Sequence, residues 1–267
     1  MDRYKHCFEK LQKEGRGGFI PFVVVGDPDI ETSIKIIDTL VKAGADALEL
    51  GIPFSDPVAD GPVIQSAVVR ALDRGAAPGG CFSAIKEIRS RYNDIPIGIL
   101  TYINAVLSEG MDNYFKSVKN AGIDSVLAAD MPVDESDAYR EAAKKAGVDT
   151  VFIAPPNADE NILKKIAEFT KGYTYVVTRS GVTGTDDNVM TDFSKTLRQL
   201  EKAGAPPAVV GFGISLPEHV TAVLKAGAKG AISGSATVKI IEQNLNNHEK
   251  MFDELYQFVK QMRAATR

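Results

Sequence analysis

Two carboxylates stand out by type and spacing. Glu49 lies in the run Ala47-Leu48-Glu49-Leu50-Gly51. If that run is a strand, alternation puts Leu48 and Leu50 on one face and Ala47, Glu49 and Gly51 on the other. The leucines suit packing under helices, so Glu49 points the opposite way, toward an enclosed interior. A carboxylate there loses water, which is costly unless it is paired or used. No Lys or Arg ends a neighbouring run. Glu49 therefore reads as an acid–base group, or as one satisfied by a neutral donor. Asp60 lies in the loop Ile52-Pro53-Phe54-Ser55-Asp56-Pro57-Val58-Ala59-Asp60-Gly61-Pro62. It precedes a helix beginning near Pro62, where an aspartate serves either as N-cap or as a site group. Asp56 fits a turn by the same logic.

Glycines gather late in the chain, in Gly211-Phe212-Gly213-Ile214-Ser215 and Ser233-Gly234-Ser235-Ala236. Glycine lets backbone approach an anion, and a helix N-terminus offers free N–H donors. Two such places in succession suit a phosphate site, although each also serves a tight turn. The polar, glycine-hinged stretch over 179–190 has the length of a lid or of a plain surface loop. Its Gly184 is placed to lend a further N–H.

Absences narrow the chemistry. His6, His219 and His248 fall in helical patterns or at their edges. Cys7 and Cys81 are far apart, so neither a disulfide framework nor a cysteine metal site is expected, and no metal is. No lysine ends a candidate strand, which removes a Schiff-base amine. What remains is carboxylate acid–base chemistry on a phosphorylated, partly apolar substrate. Tyr102, Ala129, Ile153, Tyr175 and Phe212 stand near strand ends, as an apolar wall or as core.

The elements that must position these groups come from one repeated phrase. A helical pattern ends in Ala-Gly and a short apolar run follows, at Ala43-Gly44, Ala121-Gly122, Ala146-Gly147 and Ala226-Gly227. Glycine there suits a left-handed helix cap. Candidate strands cover 19–25, 46–51, 95–102, 125–129, 150–154, 173–178, 208–212 and 230–233. Helical patterns cover 30–43, 133–146, 159–169, 191–203 and 217–226. Asp29 reads as an N-cap, and Ser215-Leu216-Pro217-Glu218 has capping-box spacing. Eight strands alternating with helices is the arithmetic of a (β/α)8 TIM barrel. Residues 2–14 make an extra N-terminal helix, placed to plug the barrel floor. A single domain over 1–267 is expected. The competing open sheet would want a glycine-rich first turn, and Val25-Gly26-Asp27-Pro28 is not one.

Composition agrees. The chain has 267 residues, 44% hydrophobic and 25% charged, with 31 Lys and Arg against 35 Asp and Glu, a formal net charge of −4. That balance argues against a general nucleic-acid binder. No apolar run is long enough to span a membrane, and the polar N-terminus does not read as a signal peptide. A cytoplasmic location is the expectation.

At Leu48-Glu-Leu-Gly-Ile-Pro-Phe-Ser-Asp-Pro-Val-Ala-Asp-Gly-Pro-Val-Ile-Gln65 the sequence resembles the tryptophan synthase alpha chain family. Arg179-Ser-Gly-Val-Thr-Gly184, Gly211-Phe-Gly-Ile-Ser215, Ile232-Ser-Gly-Ser235, Asp130-Met-Pro-Val133 and Pro155-Pro-Asn-Ala-Asp159 extend the likeness along nearly the whole chain. The resemblance implies reversible retro-aldol cleavage of indole-3-glycerol phosphate to indole and glyceraldehyde 3-phosphate, within tryptophan biosynthesis. It implies Glu49 as general acid and Asp60 as partner of the indole N–H. It implies phosphate held by Gly184, Gly213, Gly234 and Ser235. Phe22, Leu100, Tyr102, Ala129, Ile153, Tyr175 and Phe212 would line the pocket, with Thr183 closing onto Asp60. No cofactor is implied in this chain. Pyridoxal phosphate belongs to a partner beta chain, in an alpha2beta2 heterotetramer, and Pro53, Phe54, Asp56 and Pro57 are implied at that interface. The chain departs from the family at Val24, where threonine is usual, and at Thr101, where an apolar residue is usual; the latter is expected to alter pocket packing. Three rival readings stand beside this one: another phosphate-barrel enzyme, a non-catalytic regulator of the beta chain, and a stand-alone lyase.

Overall fold

A computed structural model describes residues 2–177 and 193–267. In it the repeated phrase becomes a ring of parallel strands. These are β1 (Gly18–Val24), β2 (Leu48–Gly51), β3 (Ile97–Thr101), β4 (Ser125–Ala128), β5 (Asp149–Thr150), β6 (Ile153–Ala154), β7 (Thr174–Val177), β8 (Ala208–Gly211) and β9 (Gly230–Ser233). The sheet order is β5-β4-β3-β2-β1-β9-β8-β7-β6. The strands are short and almost wholly buried, as Val- and Ile-rich staves covered by helices must be.

The two end segments, β5 and β6, belong to one stretch of chain. Val151 N–H bonds to Val126 O at 3.0 Å on one side, and Tyr175 N–H bonds to Phe152 O at 3.2 Å on the other. That stretch therefore closes the sheet into an eight-staved barrel. The expected single strand over 150–154 is thus broken at Val151-Phe152, where pairing changes from one neighbour to the other.

Around the staves run α1 (Arg3–Lys13), α2 (Ile30–Lys42), α3 (Pro62–Asp73), α4 (Pro78–Arg91), α5 (Ile103–Glu109), α6 (Met111–Asn120), α7 (Asp137–Ala146), α8 (Glu160–Phe169), α9 (Ser194–Lys202), α10 (Pro217–Lys225), α11 (Ser235–Gln243) and α12 (His248–Ala264). Asp29 caps α2 by accepting Thr32 N–H at 2.8 Å. Gly44, Gly122, Gly147 and Gly227 all take positive φ. A side chain would resist that conformation, and it turns each helix back into the next strand.

Three local expectations are corrected. The helix over 133–146 is a short 3-10 turn at Val133–Glu135 followed by α7. Ser136 Oγ donates to Val133 O at 2.6 Å, a local bond that competes with a continuous helix. Ser215 does not form a capping box, because the N-cap of α10 is Leu216. The Ser215 N–H instead reaches His219 Nδ1 at 3.3 Å. Thr101 does not bear on the pocket: it is fully buried, and its hydroxyl meets the Tyr114 hydroxyl of α6 at 3.3 Å on the helix side of the sheet. Of the helix expected over 191–203, residues 191 and 192 lie outside the described residues.

α1 closes the floor. The Tyr4 hydroxyl enters the barrel and bonds Ser125 Oγ at 2.8 Å. Its ring packs on Tyr173 with centroids 5.3 Å apart. A Cβ on Gly98 would come within 2.8 Å of both hydroxyl oxygens, so the bare backbone there makes room for the plug. Ion pairs ring the same end. Arg16 forks onto Asp46 at 2.9 and 2.8 Å. Asp124 takes Arg3 at 2.7 Å and Arg89 at 2.8 Å. The same acids hold backbone, with Phe19 N–H on Asp46 at 3.0 Å and Ile97 N–H on Asp124 at 2.9 Å.

Candidate active site

Strand register brings Phe22, Glu49 and Gly98 side by side across β1, β2 and β3. The floor contact of Gly98 shows that this row faces the barrel interior, so Glu49 points inward as alternation requires. Glu49 is 2% exposed. Its Oε1 accepts the Tyr173 hydroxyl at 2.6 Å. Burial pushes the carboxyl up to about 7; the Tyr173 donor opposes the shift and the negative charge of Asp60 adds to it. A group balanced near neutrality both gives and takes protons.

Asp60 is also buried, and burial raises its pKa against the pull of a hydrogen bond from Tyr102. The Tyr102 hydroxyl donates to Asp60 Oδ2 at 2.8 Å and accepts Ala59 N–H at 3.1 Å. Gln65 Nε2 donates to the Asp60 carbonyl at 2.8 Å. Gly61, not Asp60, is the N-cap of α3, so the carboxylate is free of the capping duty its position suggested. Neither Glu49 nor Asp60 makes an ion pair with a described residue.

Phe22, Leu100, Ile153 and Tyr175 follow the inward alternation of their strands, and Ala129 lies one residue past the end of β4. Ile153 pairs with Tyr175 in register, and the Tyr175 ring meets Phe212 edge-on at 6.4 Å. Phe212 holds a φ of 74°, costly for a non-glycine residue and a conformation that clusters at functional sites. Gly213 follows at the same φ of 74°, with nothing within 4 Å of where a Cβ would stand. Gly234 is the N-cap of α11 and Ser235 its first residue, so free N–H groups gather there. Thr183, Gly184 and the 179–190 lid lie outside the described residues. Phe54 stacks on Tyr102 at 5.5 Å, Pro53 is buried, Pro57 is half-buried and Asp56 is exposed.

Two tyrosines do more than the sequence reading gave them. Tyr102, expected as apolar wall, is the hydroxyl partner of Asp60. The sequence marks Tyr173 only as the start of a strand, yet it holds Glu49. Its signal was present, because Tyr173 shares the inward phase of Tyr175 two residues on.

Fold and geometry together define a (β/α)8 barrel with two buried, tyrosine-bonded carboxylates. The family model for the tryptophan synthase alpha chain matches residues 8–267. The chain is 54% identical over 266 residues to the tryptophan synthase alpha chain of Vibrio vulnificus strain CMCP6, covering 100% of this chain and 99% of that one. The crystal structure of tryptophan synthase subunit alpha from Legionella pneumophila superposes with a TM-score of 0.90 at 28% identity, over 100% and 98% of the two chains. A chain of the tryptophan synthase complex from Pyrococcus furiosus gives a TM-score of 0.82 at 36% identity, over 92% of this chain and 98% of that one. The chain belongs to the tryptophan synthase alpha chain family, a family of lyase subunits whose alpha reaction cleaves indole-3-glycerol phosphate. No helix among the described residues is long and apolar enough to cross a membrane.

Proposed function

We propose that the whole chain works as one domain in which Glu49 is the proton-transfer group of the alpha reaction. Indole-3-glycerol phosphate carries its glycerol phosphate on indole C3. Protonation at C3 by Glu49 converts the ring to a cation. The C3–side-chain bond then breaks, and its electron pair returns to the ring. The adjacent hydroxyl gives its proton back to Glu49 and becomes the aldehyde of glyceraldehyde 3-phosphate, so the carboxyl ends as it began. Asp60 accepts the indole N–H and stabilises the positive charge that grows there. Gly213, Gly234 and Ser235, with Gly184, hold the phosphate. Phe22, Leu100, Tyr102, Ala129, Ile153, Tyr175 and Phe212 enclose the organic part, and Thr183 completes the setting of Asp60.

The observation that carries this reading is the buried Glu49 carboxyl, poised at about 7 with a neutral hydroxyl partner. The Pyrococcus furiosus relative is described as part of an a2b2 complex. By analogy this chain pairs with a beta chain through the loop carrying Pro53, Phe54, Asp56 and Pro57, where Val58 is 71% exposed. This chain needs no cofactor of its own, and pyridoxal phosphate is the beta chain's. The cytoplasm is the proposed location. Purified protein given indole-3-glycerol phosphate should release indole, and faster with a beta chain present. Phosphate-ligand binding with no indole release under either condition would leave only a regulatory role.

A further inference from the structure

A second charged cluster lies beyond the two carboxylates. Asp27 follows β1, and its side chain is wholly buried. Arg70 of α3 forks onto it, Nε to Oδ1 at 2.8 Å and Nη2 to Oδ2 at 2.9 Å. The remaining guanidinium nitrogen, Nη1, reaches Glu242 Oε1 of α11 at 3.1 Å. One planar cation therefore ties together the end of β1, α3 and α11. Arginine suits this task because its nitrogens are fixed in one rigid fork.

Each tied element carries a different part of the site. β1 holds Phe22. α3 is entered directly from Asp60 through its cap, Gly61. α11 starts from Gly234 and Ser235. The three already converge at that start, since a Cβ on Gly234 would lie 3.6 Å from both Ile64 Cδ1 of α3 and Phe22 Cδ1 of β1. We infer that Arg70 is a positioning residue, which sets the phosphate-holding start of α11 at a fixed separation from the Asp60 carboxylate. The inference rests on the site assigned above. It gives that site a ruler: a ligand spanning both ends is recognised at one length.

A ruler and a mere stabilising ion pair differ in what they do to ligands. Loss of the ruler penalises a ligand that bridges the two ends and spares fragments that occupy one end. The probes are indole-3-propanol phosphate, which bridges, and free indole and glycerol 3-phosphate, which do not. They are titrated calorimetrically into the wild-type chain and into Glu242→Gln, Arg70→Lys and Arg70→Met. Glu242→Gln leaves the Asp27–Arg70 fork in place, so it stays folded even if Arg70→Met does not. In Glu242→Gln the bridging ligand should weaken by roughly 3–10-fold with both fragments within about twofold, and Arg70→Met should weaken it by about 10-fold or more. Arg70→Lys, which keeps the charge without the fork, should fall between them. Equal losses for the bridging ligand and the fragments, or unchanged bridging affinity with only a lower melting temperature, would overturn the inference. A wild-type chain that neither binds the bridging ligand nor cleaves substrate would instead overturn the site assignment beneath it.

Discussion

The rim of the barrel floor and the interior above it hold two pairs of acidic side chains differently. At the floor, Asp46 and Asp124 face arginines and also accept backbone N–H groups. Within the barrel, Glu49 faces the Tyr173 hydroxyl, and at the mouth Asp60 faces that of Tyr102. An arginine supplies a compensating charge and a fixed geometry, which suits an acid that clamps strands together. A tyrosine supplies one neutral hydrogen bond and no charge. The hydrogen bond offsets burial only in part, and both carboxyls are pushed upward. The tyrosine-bonded pair thus differs from the arginine-clamped pair in partner, and burial also lifts Asp149 near the floor, which has no ion pair with a described residue, to about 6. Asp27 lies at the mouth but is paired in the manner of Asp46 and Asp124, and burial still raises its carboxyl against the pull of Arg70.

The largest effect expected from this contrast is at Glu49. Glu49→Gln should lower turnover by about 10³-fold or more while leaving the fold intact, read as single-turnover indole release beside circular dichroism. It should also change how stability responds to pH. The folded Glu49 carboxyl keeps its proton up to about 7, whereas its ordinary value is 4.5. Its contribution to stability is therefore full below about pH 4.5 and is lost as pH rises through about 7. Glutamine does not titrate, so relative to wild type the variant should gain up to about 3 kcal/mol above pH 7, measured by urea unfolding at pH 5 and pH 8. Equal pH slopes for the two proteins would erase the distinction between the tyrosine-bonded and the arginine-clamped acids.

Next comes the floor itself. The Arg89 guanidinium bonds Asp124 and the carbonyls of Gly122, Tyr92 and Ile95. Arg89→Met leaves these acceptors short of a donor and should cost about 3–5 kcal/mol in unfolding free energy. Turnover per folded molecule should not change. A specific loss of turnover at full folding would show that the floor is not purely structural.

The smallest effect concerns Tyr173. Its hydroxyl favours the charged form of Glu49, so Tyr173→Phe should raise that carboxyl further. The alkaline fall in kcat/KM, expected near pH 7 when Glu49 must start protonated, should move up by about one pH unit. A shift downward would reverse the assigned role of the hydroxyl.

The architecture was readable because it is written repeatedly. The Ala-Gly joint recurs with a short apolar run after it, and each copy marks one helix-to-strand return. Glu49 was readable because strict alternation in a short strand leaves one acid facing inward. What the sequence hid was set by contacts between distant segments. The break at Val151-Phe152 exists because one stretch must pair with β4 and then β7, and nothing local marks that change. The hydroxyl partners were hidden for a related reason. A tyrosine on an inward face reads first as bulk, and only the closure of the ring places Tyr173 against Glu49 or Tyr102 against Asp60. Thr101 shows the converse: its residue type is plain in the sequence, but its phase in β3 turns it toward α6.

Tyr4 has a consequence for the route by which hydrogen enters and leaves. A phenol is wedged into the base of the ring, and Glu49, in register with Gly98 beside that phenol, lies deep within it. Isotope carried in on a substrate hydroxyl would then have to leave on the side away from that plug. Solvent exchange and product departure are then both turned away from the amino-terminal helix, which stops the base.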